Sequence, residues 1–127
     1  MLKVLFAIPA TLVPAIILST AAWLRVSTDW TILLSRVGPV TLGDAVDLLF
    51  IVTLGAELYK STRTDNLAAL NNVASVIVAF AFTAGVLLIP ALWTVCAGKA
   101  IVVLLIDAAI APVMTAGAAR RDLQILS

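Results

Sequence analysis

Four long apolar stretches, separated by short polar connections, dominate the chain. Residues 4–24, VLFAIPATLVPAIILSTAAWL, form the first and follow Lys3. A basic start, an apolar middle and Ser19-Thr20-Ala21 also match a signal peptide. We read the run as a first transmembrane helix, bent at Pro9 and Pro14, where each ring removes a backbone donor. Residues 25–40 mix charge with apolar positions. There Thr28 or Asp29 is expected to cap a short interfacial helix carrying Trp30, Leu33 and Leu34, ended by Gly38-Pro39.

The second apolar stretch is residues 42–59, with Thr41 and Asp44 at capping-box spacing. A polar turn, KSTRTDN, leads to the third at residues 67–89, which Thr64 or Asp65 is expected to cap. Pro90 to Gly98 reads as a tight connection. The fourth stretch, residues 99–118, is bracketed by Lys99 and by Arg120-Arg121. A span needs roughly 20 residues at about 1.5 Å each. The expected fold is therefore all-α: one polytopic domain over residues 1–127, with four transmembrane helices and a short interfacial helix after the first. The tail after residue 119, RRDLQILS, is read as a short segment docking on the membrane or a partner.

Composition supports a lipid environment. The 127 residues are 63% hydrophobic and 12% charged, with a mean hydropathy of +1.18. A soluble domain is nearer half apolar and a quarter charged. The net charge is +1 and there is no basic tract, which argues against a nucleic-acid partner. Histidine is absent, removing the usual general base and the commonest metal ligand. The single cysteine, Cys96, has no partner for an internal disulfide. No nucleophile–base pair is readable, so the chain is expected to be non-enzymatic, with no cofactor and no metal centre.

Charge placement then suggests orientation and chemistry. Four spans put Lys3, Lys60, Arg63, Arg120 and Arg121 on one side, against Arg25, Arg36 and Lys99 on the other. The excess favours both termini in the cytoplasm, in a cell (inner) membrane, with the three tryptophans at the outer interface. Asp107 lies about 12 Å along a helix from Lys99, near the middle of a roughly 30 Å hydrocarbon core. An acid there costs about 2.5–3.5 kcal/mol on insertion scales and is expected to face protein or water. By depth, Asp44 and Asp47 fall outside, Asp107 centrally, and Glu57 with Asn71 and Asn72 toward the inside. Each has a plainer role available: Asp44 as a first-turn acid, Glu57 as a partner of Lys60, Asn71 and Ser75 as interhelical hydrogen-bonding groups. Asp107, Ala108, Ala111, Thr115 and Ala118 form a small-residue stripe for helix contact, opposite a lipid-facing Leu104, Leu105, Ile106, Ile110 and Val113.

Two function classes follow. The acids form a ladder fit for a proton or small-cation pathway in a homo-oligomer or with partner membrane subunits. Alternatively, Asp107 locks helices in a non-catalytic assembly subunit, for example through Lys99 or an asparagine. A holin-like membrane-lesion protein is a third option. A shared wet space around Asp47, Asp107 and Glu57 favours the first class, and separate capping of each acid favours the second.

Overall fold

The computed structural model describes residues 7–27, 31–34, 38–63 and 66–126. Among the described residues four α-helices carry the fold: α1 Leu12–Trp23, α2 Leu42–Ser61, α3 Asn66–Leu88 and α4 Val95–Leu126. A single 3-10 turn, Pro90–Leu92, joins α3 to α4. The long helix α4 packs along both α2 and α3, which barely touch each other.

Among the described residues only α3 and α4 are long and apolar enough to cross a membrane, which corrects the four-span layout. The described part of α1 has 12 residues, about 18 Å of helix against a hydrocarbon core of about 30 Å. Thr11 is its N-cap, so Pro9 lies outside the helix and Pro14 falls in the first turn. Amide donors in a first turn have no helical acceptor, so neither proline bends the helix. Helix α2 has the length of a span at 20 residues, but it carries Asp44, Asp47, Glu57 and Lys60. Helix α4 starts four residues earlier than expected and runs through the tail to Leu126 as one element, with Pro112 inside it.

The segment expected to form an interfacial helix is a β-hairpin. Strands β1 Thr31–Leu34 and β2 Gly38–Thr41 pair antiparallel, with Thr31 opposite Thr41 and Ile32 opposite Val40. Thr31, Ile32, Val40 and Thr41 are β-branched, a bias toward extended backbone. Gly38-Pro39 blocks helix continuation. In a two-stranded sheet both strands are edges, so Pro39 is tolerated. The expected caps Thr28, Asp29, Thr64 and Asp65, as well as Trp30, lie outside the described residues.

Local chemistry sets the helix ends. The Thr41 hydroxyl accepts from the Asp44 backbone N–H at 3.0 Å, and the Asp44 carboxylate accepts from the Thr41 backbone N–H at 2.9 Å. This is the anticipated capping box. The two Thr41 donors, backbone first, hold the exposed Asp44 carboxyl below the usual carboxylate range. Helix α1 closes with Val26 N–H on the Ala21 carbonyl and Arg25 N–H on the Ala22 carbonyl. Those two bonds define a Schellman motif with Arg25 at its left-handed position, φ 55°. An L-residue with a Cβ is strained there by about 1–2 kcal/mol. Arg25→Gly is expected to raise stability by up to about 1 kcal/mol, read as a higher midpoint in thermal unfolding.

The core runs along one seam of α4. Ala97, Ala100, Leu104, Asp107 and Ala111 are each at most 1% exposed. Their 3-4-3-4 spacing is that of a helix held between two others. Leu104 therefore belongs to the seam, a correction to its expected lipid-facing position. Leu105, Ile106, Ile110 and Val113 are exposed as anticipated. Opposing the seam are Val46 and Phe50 of α2, Ala79 and Phe82 of α3, and Ala15 and Leu18 of α1.

Candidate functional site

A buried polar layer lies on one side of this apolar core. The same 3/4 periodicity that buries Ala79 and Phe82 on α3 also buries Asn71, Asn72 and Ser75. On α2 the positions in line with Val46 and Phe50 are Glu57 and Ser61. On α4 the seam brings in Asp107. Glu57, Asn71, Asp107 and Thr11 are all 0% exposed. The polar residues thus occupy core positions of three helices and the cap of a fourth.

Glu57 is held from three directions. Its Oε1 accepts from the Ala10 backbone N–H and from Lys60 Nζ, the latter at 2.7 Å. Its Oε2 accepts from Asn71 Nδ2. Lys60 Nζ also donates to the Ile8 carbonyl at 3.0 Å, tying the start of α1 to the end of α2. Asn72 Nδ2 donates to Thr115 Oγ1 at 2.9 Å, and Thr115 in turn donates to the Ser61 carbonyl at 2.9 Å. The Ser61 hydroxyl is shared between the Glu57 carbonyl at 3.0 Å and Asn72 Oδ1 at 3.3 Å. Buried polar groups are cheap only when satisfied, and this part of the layer is satisfied.

Asp107 is not. The Thr11 hydroxyl donates to Oδ2 at 3.2 Å and so leaves its own helix without a side-chain cap. Among the described residues Asp107 Oδ1 has no hydrogen-bond partner, and neither have Asn71 Oδ1 and Ser75 Oγ. Among the described residues no cation pairs with Asp107. Lys99, the partner considered from sequence, turns to Asp47 at 2.6 Å. The start of α1, with its partial positive charge, faces Asp107 through Thr11 and Glu57 through Ala10.

The other acids stand apart. Asp47 pairs with Lys99 beside a cleft of about 470 Å³ lined by Thr41, Asp44, Asp47, Trp93, Cys96 and Lys99. Cys96 Sγ lies 3.5 Å from Asp47 Oδ1. Asp44 is spent on its capping box. Lys99 is eight residues from Asp107 on α4, about 12 Å. Phe50, Leu104 and Ala100, each about 1% exposed, occupy the level between. The pair is half open to solvent, with side-chain exposures of 58% and 22%. Asp47→Asn is expected to cost under about 1 kcal/mol, and less as salt is added. A salt titration of the unfolding midpoint checks this.

No protein-family model, curated protein or solved structure matches the chain. The residues must therefore be read from their own geometry. Of the six singled out in the sequence, the fold brings Glu57, Asn71, Asn72 and Asp107 into one layer and leaves Asp47 and Asp44 at the opposite end. Thr11 and Ser61 were missed. Ser61 sits one turn beyond Glu57, a legible i,i+4 signal. Thr11 offered only a hydroxyl in an apolar run. Among the described residues no group of three or more His, Cys, Asp or Glu is arranged to hold a metal ion.

Proposed function

We propose that the chain is a small, non-enzymatic helical membrane protein that forms, as an oligomer or with partner subunits, a proton or small-cation pathway. The observation that carries this reading is the unbalanced layer at Glu57 and Asp107. Among the described residues two fully buried carboxylates lie in the layer and one ammonium, Lys60, pairs with Glu57 alone. An uncompensated buried charge is costly, so the layer favours uptake of one positive charge. Intramembrane acids facing the protein interior are by default transport-site candidates. On this reading α3 and α4 cross the membrane, while α1 and α2 lie against them and enclose the layer. The positive charges at the α2–α3 connection and the α4 end favour a cytoplasmic position for that end, in a cell membrane. The exposed Trp23 and Trp93 stand at one end and Tyr59 at the other, suiting two interfaces. Phe50 and Leu104 block the route from Asp47 to the layer, so conduction requires their displacement.

The second reading, a structural subunit of a larger membrane complex, is favoured by the separate pairing of Asp47 with Lys99. Proton and sodium flux in proteoliposomes distinguishes the two. The native chain is expected to conduct, and Asp107→Asn at matched insertion to fall to the protein-free leak. No flux from the native chain, together with a variant that fails to assemble on a native gel, would reject the pathway and support the subunit.

A further inference from the structure

We infer that Asp107 Oδ1, Asn71 Oδ1 and Ser75 Oγ form a dehydrated binding site for one monovalent inorganic cation. The inference deepens the pathway reading and rests on it for the site's role, but its evidence is separate. These three atoms are buried side-chain oxygens without a hydrogen-bond partner, on residues that are 0%, 0% and 1% exposed. They lie on the buried sides of two helices that pack against each other, α3 and α4. Asn71 and Ser75 are one turn apart on the buried face of α3, and Asp107 lies on the α4 seam, with the Ser75 hydroxyl and the Glu57 charge in its surroundings. The amide orientation of Asn71 is set by its Nδ2 bond to Glu57, so its free atom is the carbonyl oxygen.

The donor set selects the occupant. Oxygen-only ligands suit a hard cation rather than a soft transition metal. Glu57 is already balanced by Lys60, so a single negative charge, that of Asp107, is left over, which matches a monovalent ion. A water molecule supplies donors but no charge. A proton on Asp107 supplies the charge but only one new donor for the remaining oxygens. A cation takes lone pairs from all three at once and neutralises the carboxylate.

The test is equilibrium binding of ²²Na⁺ to the full chain in nanodiscs, at constant ionic strength held with choline chloride. One saturable site per chain is expected. Ser75→Ala, a small change outside the Glu57 network, should weaken it about tenfold, and Asp107→Asn about 100-fold, the range seen when a metal site's supporting groups are removed. Absence of saturable binding by a native chain of normal helix content would overturn the site. So would native affinity in the folded Ser75→Ala protein. Asp107-dependent proton flux without sodium binding would reject the site and keep the pathway, whereas sodium binding without flux of either ion would keep the site and reject the pathway.

Discussion

Glu57→Leu is expected to destabilise the protein by about 3–5 kcal/mol, the cost of breaking a buried ion pair by removing one partner. The change leaves two donors, the Ala10 backbone N–H and Asn71 Nδ2, without their acceptor and takes the carboxylate from the Lys60 ammonium. Lys60 keeps one acceptor, the Ile8 carbonyl, but its side chain is only 16% exposed and has little water to turn to. Because Ala10 and Ile8 belong to the entry into α1, the loss should also loosen the docking of that helix on α2. Glu57→Gln keeps the shape and one acceptor oxygen, and should cost less than the leucine. Reversible unfolding in detergent, followed by helical ellipticity, measures both. A leucine variant as stable as the native chain would mean that the layer is open to water. The contrast with Asp47→Asn is part of the prediction. Both residues are acids paired with a lysine, and burial alone separates a large effect from a small one.

Phe50→Ala is the second large effect, about 3 kcal/mol and no less than the lower end of the range for buried aromatic truncation. Phe50 is 1% exposed and packs in the same cluster as Leu18, Val46, Ala79 and Leu104. On the proposed membrane reading lipid is as apolar as the core, so the loss is mainly of dispersion contacts and close packing rather than of transfer from water. Leu48 on the same helix is 63% exposed, and Leu48→Ala should stay within about 0.5 kcal/mol. Equal effects at the two positions would show that α2 is not packed through Phe50. On the proposed pathway, Phe50→Ala should also raise basal flux, because it thins the apolar level between Asp47 and the buried layer.

Much of the helical pattern was legible because it is a local property. The apolar runs at residues 67–89 and 99–118 became α3 and the middle of α4, since length and hydropathy depend only on neighbours along the chain. The Thr41–Asp44 box formed because its partners are three residues apart. The apolar run at residues 4–24 was less informative. Hydropathy alone ignored that Thr11 begins the helix and that Pro9 precedes it. Residues 25–40 read as a helix because leucine and tryptophan spacing was weighed above the β-branched residues, and a strand needs its partner across a turn to be recognised.

The candidate site was legible in membership but not in grouping. Asp107, Glu57, Asn71 and Asn72 stand out as polar residues in apolar runs, and hydropathy is enough to find them. Their spacing even carries the seam periodicity, since Leu104, Asp107 and Ala111 follow 3/4 steps. Nothing along the chain says which acid meets which base. Lys99 had both Asp47 and Asp107 within reach of a plausible helix arrangement, and the tertiary structure gave it Asp47. That choice follows from the parallel run of α2 beside α4, which sets Asp47 level with Lys99, Glu57 near Asp107 and Ser61 level with Thr115. Thr11 reached Asp107 only because the start of α1 docks where α2 ends.

The sequence by itself therefore determined the apolar runs that became α3 and the middle of α4 and where the capping box lies, while its four-span layout was too many by two among the described residues. The runs and the box are each set by neighbouring residues. The tertiary structure alone decided that Glu57 is neutralised and Asp107 is not, and that three oxygens of Asp107, Asn71 and Ser75 are left unpartnered together. Those outcomes depend on charges and lone pairs brought together from helices as many as 96 residues apart, at positions set by packing rather than by sequence order.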